Sequence, residues 1–134
     1  NIFNPTTDAF THITKEQGLK SNAILDIAPI NENKVWIATW AGGLVEFDLK
    51  TQQAKTINYT DTSQYKYVYK NIRTILVDDT AIWLGTLGYG IQIYHKKTNR
   101  FLSWKNCKDF PFKLNDPLWC SNITKDSKNR IWIS

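Results

Sequence analysis

The chain contains no methionine, only two cysteines and no long apolar run. A membrane-spanning helix needs roughly 18–20 consecutive apolar residues, and no stretch here approaches that length. No signal peptide is recognisable at Asn1 and no initiator methionine is present, so we expect a mature or excised piece of something longer. The net charge of +5 is spread over predicted loops and strand edges. No basic stripe exists, and we expect no direct contact with nucleic acid.

The two cysteines, Cys107 and Cys120, lie in one segment between predicted strands. They could form a disulfide in an exported protein, or each could be a small buried apolar residue. A zinc site is not expected because neither a CxxC spacing nor a neighbouring histidine is present. The sequence therefore predicts no metal and no cofactor.

Aromatic residues and an internal repeat are what the chain does have. Six Trp, six Tyr and six Phe without any Met indicate stiff aromatic packing between stacked sheets. Residues 33–48 (NKVWIATWAGGLVEFD) recur as residues 80–95 (TAIWLGTLGYGIQIYH) at an offset of 47, and Trp132 follows Trp83 by 49 positions in a third, partial copy. A period of this length with four short strand-like runs per unit is typical of a propeller blade.

The predicted fold is therefore all-β: a fragment of a β-propeller with four-stranded antiparallel blades, about two full blades plus a half-blade at each end. The expected division is 1–17 for the outer half of a preceding blade, 18–59 for a blade, 60–70 for an inter-blade connection, 71–104 for a blade, 105–118 for a second connection and 119–134 for the first half of a further blade. Within the first blade, we expect the first strand to end before Pro29. The run WAGG, from Trp40 to Gly43, is expected to supply glycines with positive φ for a tight turn.

The repeated residues resemble a known family. The run GLKSNAILDI followed by VWIATWAGGLVEFD resembles the two-component-regulator propeller repeat, whose usual form is close to GL-x-SN, I, D, G-x-LWIGT and GGL in that order. The second unit carries a degraded version with IWLGT and Gly90, and the third carries Ser121-Asn122-Ile123, Asp126 and IWIS. The resemblance extends over nearly the whole chain.

This resemblance implies a periplasmic sensor region of a hybrid two-component system, of the kind found in Bacteroidetes. Such receptors carry propellers outside the membrane and histidine kinase, receiver and DNA-binding domains inside, and commonly sense breakdown products of complex glycans. For this chain the resemblance implies a periplasmic location, remaining propeller blades in the parent chain, a homodimer in the intact receptor and an oligosaccharide or other small ligand.

The strand directions predict where that ligand would bind. In antiparallel blades, the turn after the second strand and the link between blades emerge on the same face. On that face, Trp40 takes the position of Leu87 in the next unit, and Tyr89 takes that of Gly42. Residues that differ between similar blades are less suited to a shared core, and flat aromatic rings suit the apolar face of a sugar.

Polar candidates lie on the same predicted face. Asn22, Asn71 and Asn122 begin the innermost strands, and Arg73 follows closely, so these four side chains could bind hydroxyl groups. Structural alternatives remain open: Trp40 could cap a sheet edge, and the asparagines could tie down turns through bonds to the backbone.

Catalysis has little support in the sequence. His12 and His95 stand alone, without a carboxylate or cysteine partner in their own motifs. The acids are mostly single turn residues such as Asp48, Asp78 and Asp126, which are typical of turn-capping side chains. We expect Trp36, Trp83 and Trp132, which recur at one strand position, to pack blade against blade.

The leading function predicted from the sequence is thus a non-enzymatic part of a sensor propeller. Two other classes remain open: an extracytoplasmic propeller enzyme acting on polysaccharides, as a lyase or hydrolase, and a non-catalytic scaffold for protein interactions.

Overall fold

Residues 1–58, 70–103, 110 and 119–134 are described by a computed structural model, and they form an all-β structure. The first six strands are β1 (Ile2–Asn4), β2 (Ala9–Thr11), β3 (Ile24–Asn31), β4 (Lys34–Thr39), β5 (Gly43–Asp48) and β6 (Gln53–Thr56). The next six are β7 (Ile72–Val77), β8 (Ala81–Thr86), β9 (Ile91–His95), β10 (Arg100–Ser103), β11 (Ile123–Lys125) and β12 (Ile131–Ile133). A single turn of 3-10 helix, Lys15–Gln17, precedes β3.

The strands form two four-stranded sheets, β3-β4-β5-β6 and β7-β8-β9-β10, flanked by the hairpins β1-β2 and β11-β12. Every pairing is antiparallel between strands that follow each other in the chain. This confirms the predicted propeller fragment of two full blades with a half-blade at each end.

The blades pack face to face, which explains why their central strands are apolar on both sides. In β4, Trp36 and Ala38 pack toward the second blade, whereas Ile37 packs in a separate cluster with Leu19 and Phe47. Because consecutive side chains of a strand point to opposite faces, a strand between two buried layers reads as a continuous apolar run. The sequence VWIA of β4 is such a run.

Aromatic rings join the first blade to the second, as predicted for Trp36. The Trp36 ring meets that of Tyr94 edge to face, with centroids 6.1 Å apart, and Tyr94 lies 4.7 Å from Phe101. Trp83 is partly buried in the next layer. Trp132 is 56% exposed, and its indole Nε1 donates to Asp126 at 2.9 Å. Within the described chain, Trp132 therefore contacts its own hairpin rather than a following blade.

The N-terminal hairpin has the register of an outer blade half. Phe3 pairs with Phe10 across β1 and β2. The same position holds Tyr94 opposite Phe101 in β9 and β10. Strands β1 and β2 therefore correspond to the third and fourth strands of a blade, as the repeat predicts.

The prediction that the first strand ends before Pro29 is wrong. Strand β3 continues to Asn31, with Pro29 opposite Val35 and a register shift immediately after Pro29. Proline lacks the N–H group that a central strand needs, but β3 is the edge strand of its sheet. The missing donor can therefore lie on the unpaired side.

Several sequence predictions fall on residues outside the described part of the chain. These are most of the connections 60–70 and 105–118, together with Tyr59, Trp104 and Cys107. The other cysteine, Cys120, is a free and buried thiol, and burial raises its pKa to about 11.

Candidate ligand-binding face

The turns after the second strands and the segments that enter the next innermost strands lie on one face, called the upper face below. The Trp40 N–H donates to the carbonyl of Ala23, which leads into β3, at 2.9 Å. The Gly43 N–H donates to the carbonyl of Lys70, which leads into β7, at 3.0 Å. These bonds join the β4–β5 turn to the segment that precedes β3 in the same blade and to the segment that precedes β7 in the next. The strand directions predict this arrangement.

A buried threonine holds each of the two turns. The hydroxyl groups of Thr39 and Thr86 donate to the carbonyls of Gly43 and Gly90, both at 2.9 Å. Both threonines are fully buried. Because χ1 of threonine is restricted, these bonds keep the turns in a fixed shape.

The expected role of the glycines in the first turn holds for only one of them. Gly43 has a φ of 79°, but the other left-handed residue is Ala41, with a φ of 62°. Position 42 requires glycine because it has no room for a side chain. A Cβ atom there would lie 2.5 Å from the Thr39 hydroxyl and 3.3 Å from the Ser21 Cβ. Close approach, not backbone conformation, requires glycine at position 42.

The upper face carries exposed tryptophan rings on neighbouring segments. Trp40 is 47% exposed, and Trp119, which is not among the residues predicted from the sequence, is 69% exposed. Trp119 forms a β-bridge with Leu87 in the turn of the second blade. Tyr89 in the same turn is half-buried. The signal for Trp119 was its mismatch with Leu19, its equivalent in the first unit, which is buried.

Asn71 links the turns of the two blades. Its side-chain Oδ1 accepts the Ala41 N–H at 2.7 Å, and its main-chain carbonyl accepts the Leu87 N–H at 3.1 Å. Asn71 therefore sets the spacing between the turn that carries Trp40 and the turn that adjoins Trp119. The side-chain Oδ1 of Asn71 thus fixes a turn, which is the structural alternative to ligand contact given above.

The other polar candidates are exposed around the innermost strands. Asn22 and Asn122 precede β3 and β11 by one or two residues, and Asn122 Oδ1 lies 3.5 Å from the Thr74 hydroxyl. Arg73 lies at a register shift of β7, between Ile72 and Thr74. Their contact with a ligand stays a prediction.

The acidic turn residues act as caps, as predicted. The Asp48 carboxylate accepts the backbone N–H groups of Lys50 and Thr51 at 2.9 Å each, and these bonds lower its pKa. The indole of Trp132 and the guanidinium of Arg130 lower the pKa of Asp126 to about 2. Carboxyl groups held ionised in this way are poor proton donors at neutral pH.

Asp78 follows the same pattern. An ion pair with Lys125, at 3.0 Å, and the backbone N–H of Asp79 lower the pKa of Asp78. Of the histidines, His12 lies 2.8 Å from the exposed Asn1 side chain. Among the residues that the structure describes, no three His, Cys, Asp or Glu side chains form a group able to hold a metal ion.

The fold is similar to those of two extracellular domains of known structure. The chain matches the extracellular domain of a hybrid two-component system of B. thetaiotaomicron with a TM-score of 0.58 and 20% identity, covering 98% of this chain and 22% of that one. A second such domain from the same organism gives a TM-score of 0.63 at 16% identity, covering 98% and 23%. The chain therefore has the fold of these two extracellular domains, which confirms the fold that the repeat resemblance implies.

In sequence, the chain is similar to a curated histidine kinase of Formosa agariphila, with 25% identity over 130 residues. The match covers 92% of this chain but only 9% of that protein. No family model matches the chain. No helix in the described residues is both long and apolar enough to cross a membrane.

Proposed function

We propose that this chain is part of the extracytoplasmic ligand-sensing propeller of a hybrid two-component sensor histidine kinase/response regulator, located in the periplasm. The blade repeats, the fold shared with extracellular domains of hybrid two-component systems and the similarity to a histidine kinase support this proposal. The described segment contributes binding and not catalysis. Its capping carboxylates are held ionised, which does not suit the general acid of a glycosidase.

The ligand class is an oligosaccharide derived from a glycan. The observation that carries this proposal is the pair of exposed tryptophans on the upper face, Trp40 and Trp119, on segments joined through Asn71. A pyranose ring presents an apolar C–H face with a rim of hydroxyl groups. Flat indole rings bind such a face, and the nearby amide and guanidinium groups of Asn22, Asn122 and Arg73 bind the rim.

The upper face spans two blades, which gives ligand binding a route to signalling. Its turns belong to successive blades, so a ligand that spans them contacts both blades at once. In a dimeric receptor, a ligand that binds one arrangement of the dimer more tightly shifts the population toward it. The cytoplasmic kinase and response regulator of the parent protein convert that shift into transcriptional control.

Calorimetry on the full-length protein tests this proposal. A panel of neutral and acidic oligosaccharides is titrated, and each sample is then analysed for cleavage products. We expect binding without cleavage, and a loss of about tenfold in affinity, or ~1.4 kcal/mol, in Trp40→Leu and Trp119→Leu. Leucine is the residue that the second blade carries in the position of Trp40, so the first change suits the turn.

The matched control is Phe10→Leu, an exposed aromatic residue on β2. This variant should bind the oligosaccharide like the unmodified protein. Cleavage of the ligand would indicate a lyase or hydrolase instead. An intact propeller that binds none of the panel would indicate an interaction scaffold.

A further inference from the structure

A cavity of about 300 Å³ lies between the two full blades. It adjoins the upper face, because Gly42, Gly43 and Lys70 form part of its wall and the Gly43 N–H bonds to the Lys70 carbonyl. Apolar side chains cover one side, and Lys20, Thr56, Asn58 and Lys70 add polar groups. A cavity of about 150 Å³ holds a benzene ring. The larger space here accommodates one six-membered sugar ring with its substituents.

Among the described residues that line this cavity, the charged side chains are Lys20 and Lys70. The ion pairs found among the described residues involve other side chains. Both lysines are exposed, so their ammonium groups attract an anion beside the apolar wall, and dissolved salt screens this attraction.

The two lysines are not part of the repeated scaffold. Lys70 stands where the other units carry Ser21 and Ser121, and Lys20 stands where the third unit carries Cys120. The blades fold in the same way with uncharged residues at these positions. A residue that the fold does not need, at the mouth of a cavity on the candidate face, points to a ligand.

We propose that this cavity binds an acidic sugar unit, one ring that bears a carboxylate or a sulfate ester, with Lys20 and Lys70 as the anion ligands. The inference rests on the proposed oligosaccharide-sensing function and specifies its substrate class. The half-buried Ile57 contacts the ring, and the buried side chains of Leu44, Ile72 and Phe101 form the base of the cavity behind it. Gly42 is two residues from Trp40, so an oligosaccharide stacked on Trp40 can place its acidic unit in the cavity.

Three probes test this assignment by calorimetry on the full-length protein: trigalacturonic acid, its neutral methyl ester and a sulfated galactose tetrasaccharide. The test variant is K20Q/K70Q. The matched control is K50Q/K97Q, which removes the same charge from two exposed lysines at equivalent turn positions of the two blades. A third variant, K20R/K70R, keeps the charge, and unfolding midpoints verify that every variant is folded.

We expect at least one acidic probe to bind at least about tenfold more tightly than the neutral ester. K20Q/K70Q should lose this preference, whereas K50Q/K97Q and K20R/K70R should keep it, and added salt should weaken binding of the acid most. Binding of trigalacturonic acid would identify a carboxylate as the recognised group, and binding of the sulfated tetrasaccharide would identify a sulfate ester.

Equal affinity for acid and ester, or an unchanged preference in K20Q/K70Q, would overturn the acidic-sugar assignment. In that case, binding that still depends on Trp40 leaves the sensor proposal standing. If neither the acidic probes nor the neutral ester binds the folded protein, the acidic-sugar assignment fails, and the titration of the wider oligosaccharide panel decides the sensor proposal separately.

Discussion

Replacing the buried threonines Thr39 and Thr86 by valine tests how the upper-face turns are held. Valine has nearly the shape of threonine, so the change removes hydrogen bonds without opening a cavity. The Thr39 hydroxyl makes one bond in the structure, to the Gly43 carbonyl at 2.9 Å. The Thr86 hydroxyl makes two: it donates to the Gly90 carbonyl at 2.9 Å and accepts the Tyr89 N–H at 3.2 Å.

The expected magnitudes follow from this difference. One intramolecular hydrogen bond contributes a net ~1 kcal/mol to stability. The Gly90 carbonyl also accepts the Thr86 backbone N–H at 2.8 Å, so it keeps a partner when the hydroxyl is removed. We therefore expect the free energy of unfolding to fall by about 1 kcal/mol in Thr39→Val and by about 2 kcal/mol in Thr86→Val.

Denaturant unfolding followed by tryptophan fluorescence measures both changes as shifts of the midpoint at constant slope. Thr11→Val, at an exposed position of β2, makes the same chemical change and should stay within about 0.5 kcal/mol of the unmodified protein. If both buried variants matched this control, or if Thr39→Val cost more than Thr86→Val, the hydrogen-bond account of the turns would be refuted.

Three further predictions concern the scaffold. Trp36→Ala removes the ring that contacts Tyr94 and should cost about 3–5 kcal/mol in chemical unfolding; a loss below 1 kcal/mol would show that the ring does not join the blades. Hydrogen bonds lower the pKa of Asp126 to about 2, below the ordinary value near 3.9, so its stabilising effect is present above pH 4 and is lost as the pH falls toward 2. Asp126→Asn should therefore flatten the stability profile in that range, and an unchanged profile would contradict the assignment. In a Cys107→Ala background, Cys120 should resist a thiol reagent at pH 8 until the protein unfolds, because it is buried with a pKa raised to about 11; rapid labelling of the native protein would contradict this.

The scaffold could be predicted well because the repeat gives internal comparisons. Trp36 and Trp83 share a position between aliphatic neighbours, and both pack between layers. The pairing of Phe3 with Phe10 follows from the equivalent residues of a later blade. Such features depend on local pattern and period, which a single sequence contains.

Features set by distant neighbours could not be predicted in this way. Pro29 is tolerated because β3 is an edge strand, a property of the whole sheet. Gly42 is required by the approach of Ser21 from another segment, whereas Ala41 takes the left-handed conformation expected of a glycine. Local sequence does not show which chain segments approach a turn.

The candidate site likewise contains residues that a comparison of the repeats can find and a cavity that it cannot. Trp40 was found because it differs from its repeat partner, and the same comparison applied to Leu19 and Trp119 would have found the second exposed ring. The cavity between the blades was not visible in the sequence. Lys20 and Lys70 are 50 positions apart in the sequence, and both line this cavity in the fold, where the Lys70 carbonyl accepts the N–H of Gly43 at the start of β5.

The central claim is that ligand binding to this chain is a signal. The direct test is phosphorylation of the full-length protein in membrane vesicles, with oligosaccharide supplied on the side that carries this chain. The account predicts that the ligand changes the phosphorylation rate without being cleaved, and that Trp40→Leu and Trp119→Leu together raise the half-maximal concentration at least about tenfold. Phosphorylation that does not respond to an oligosaccharide that binds, or cleavage of that oligosaccharide, would contradict it.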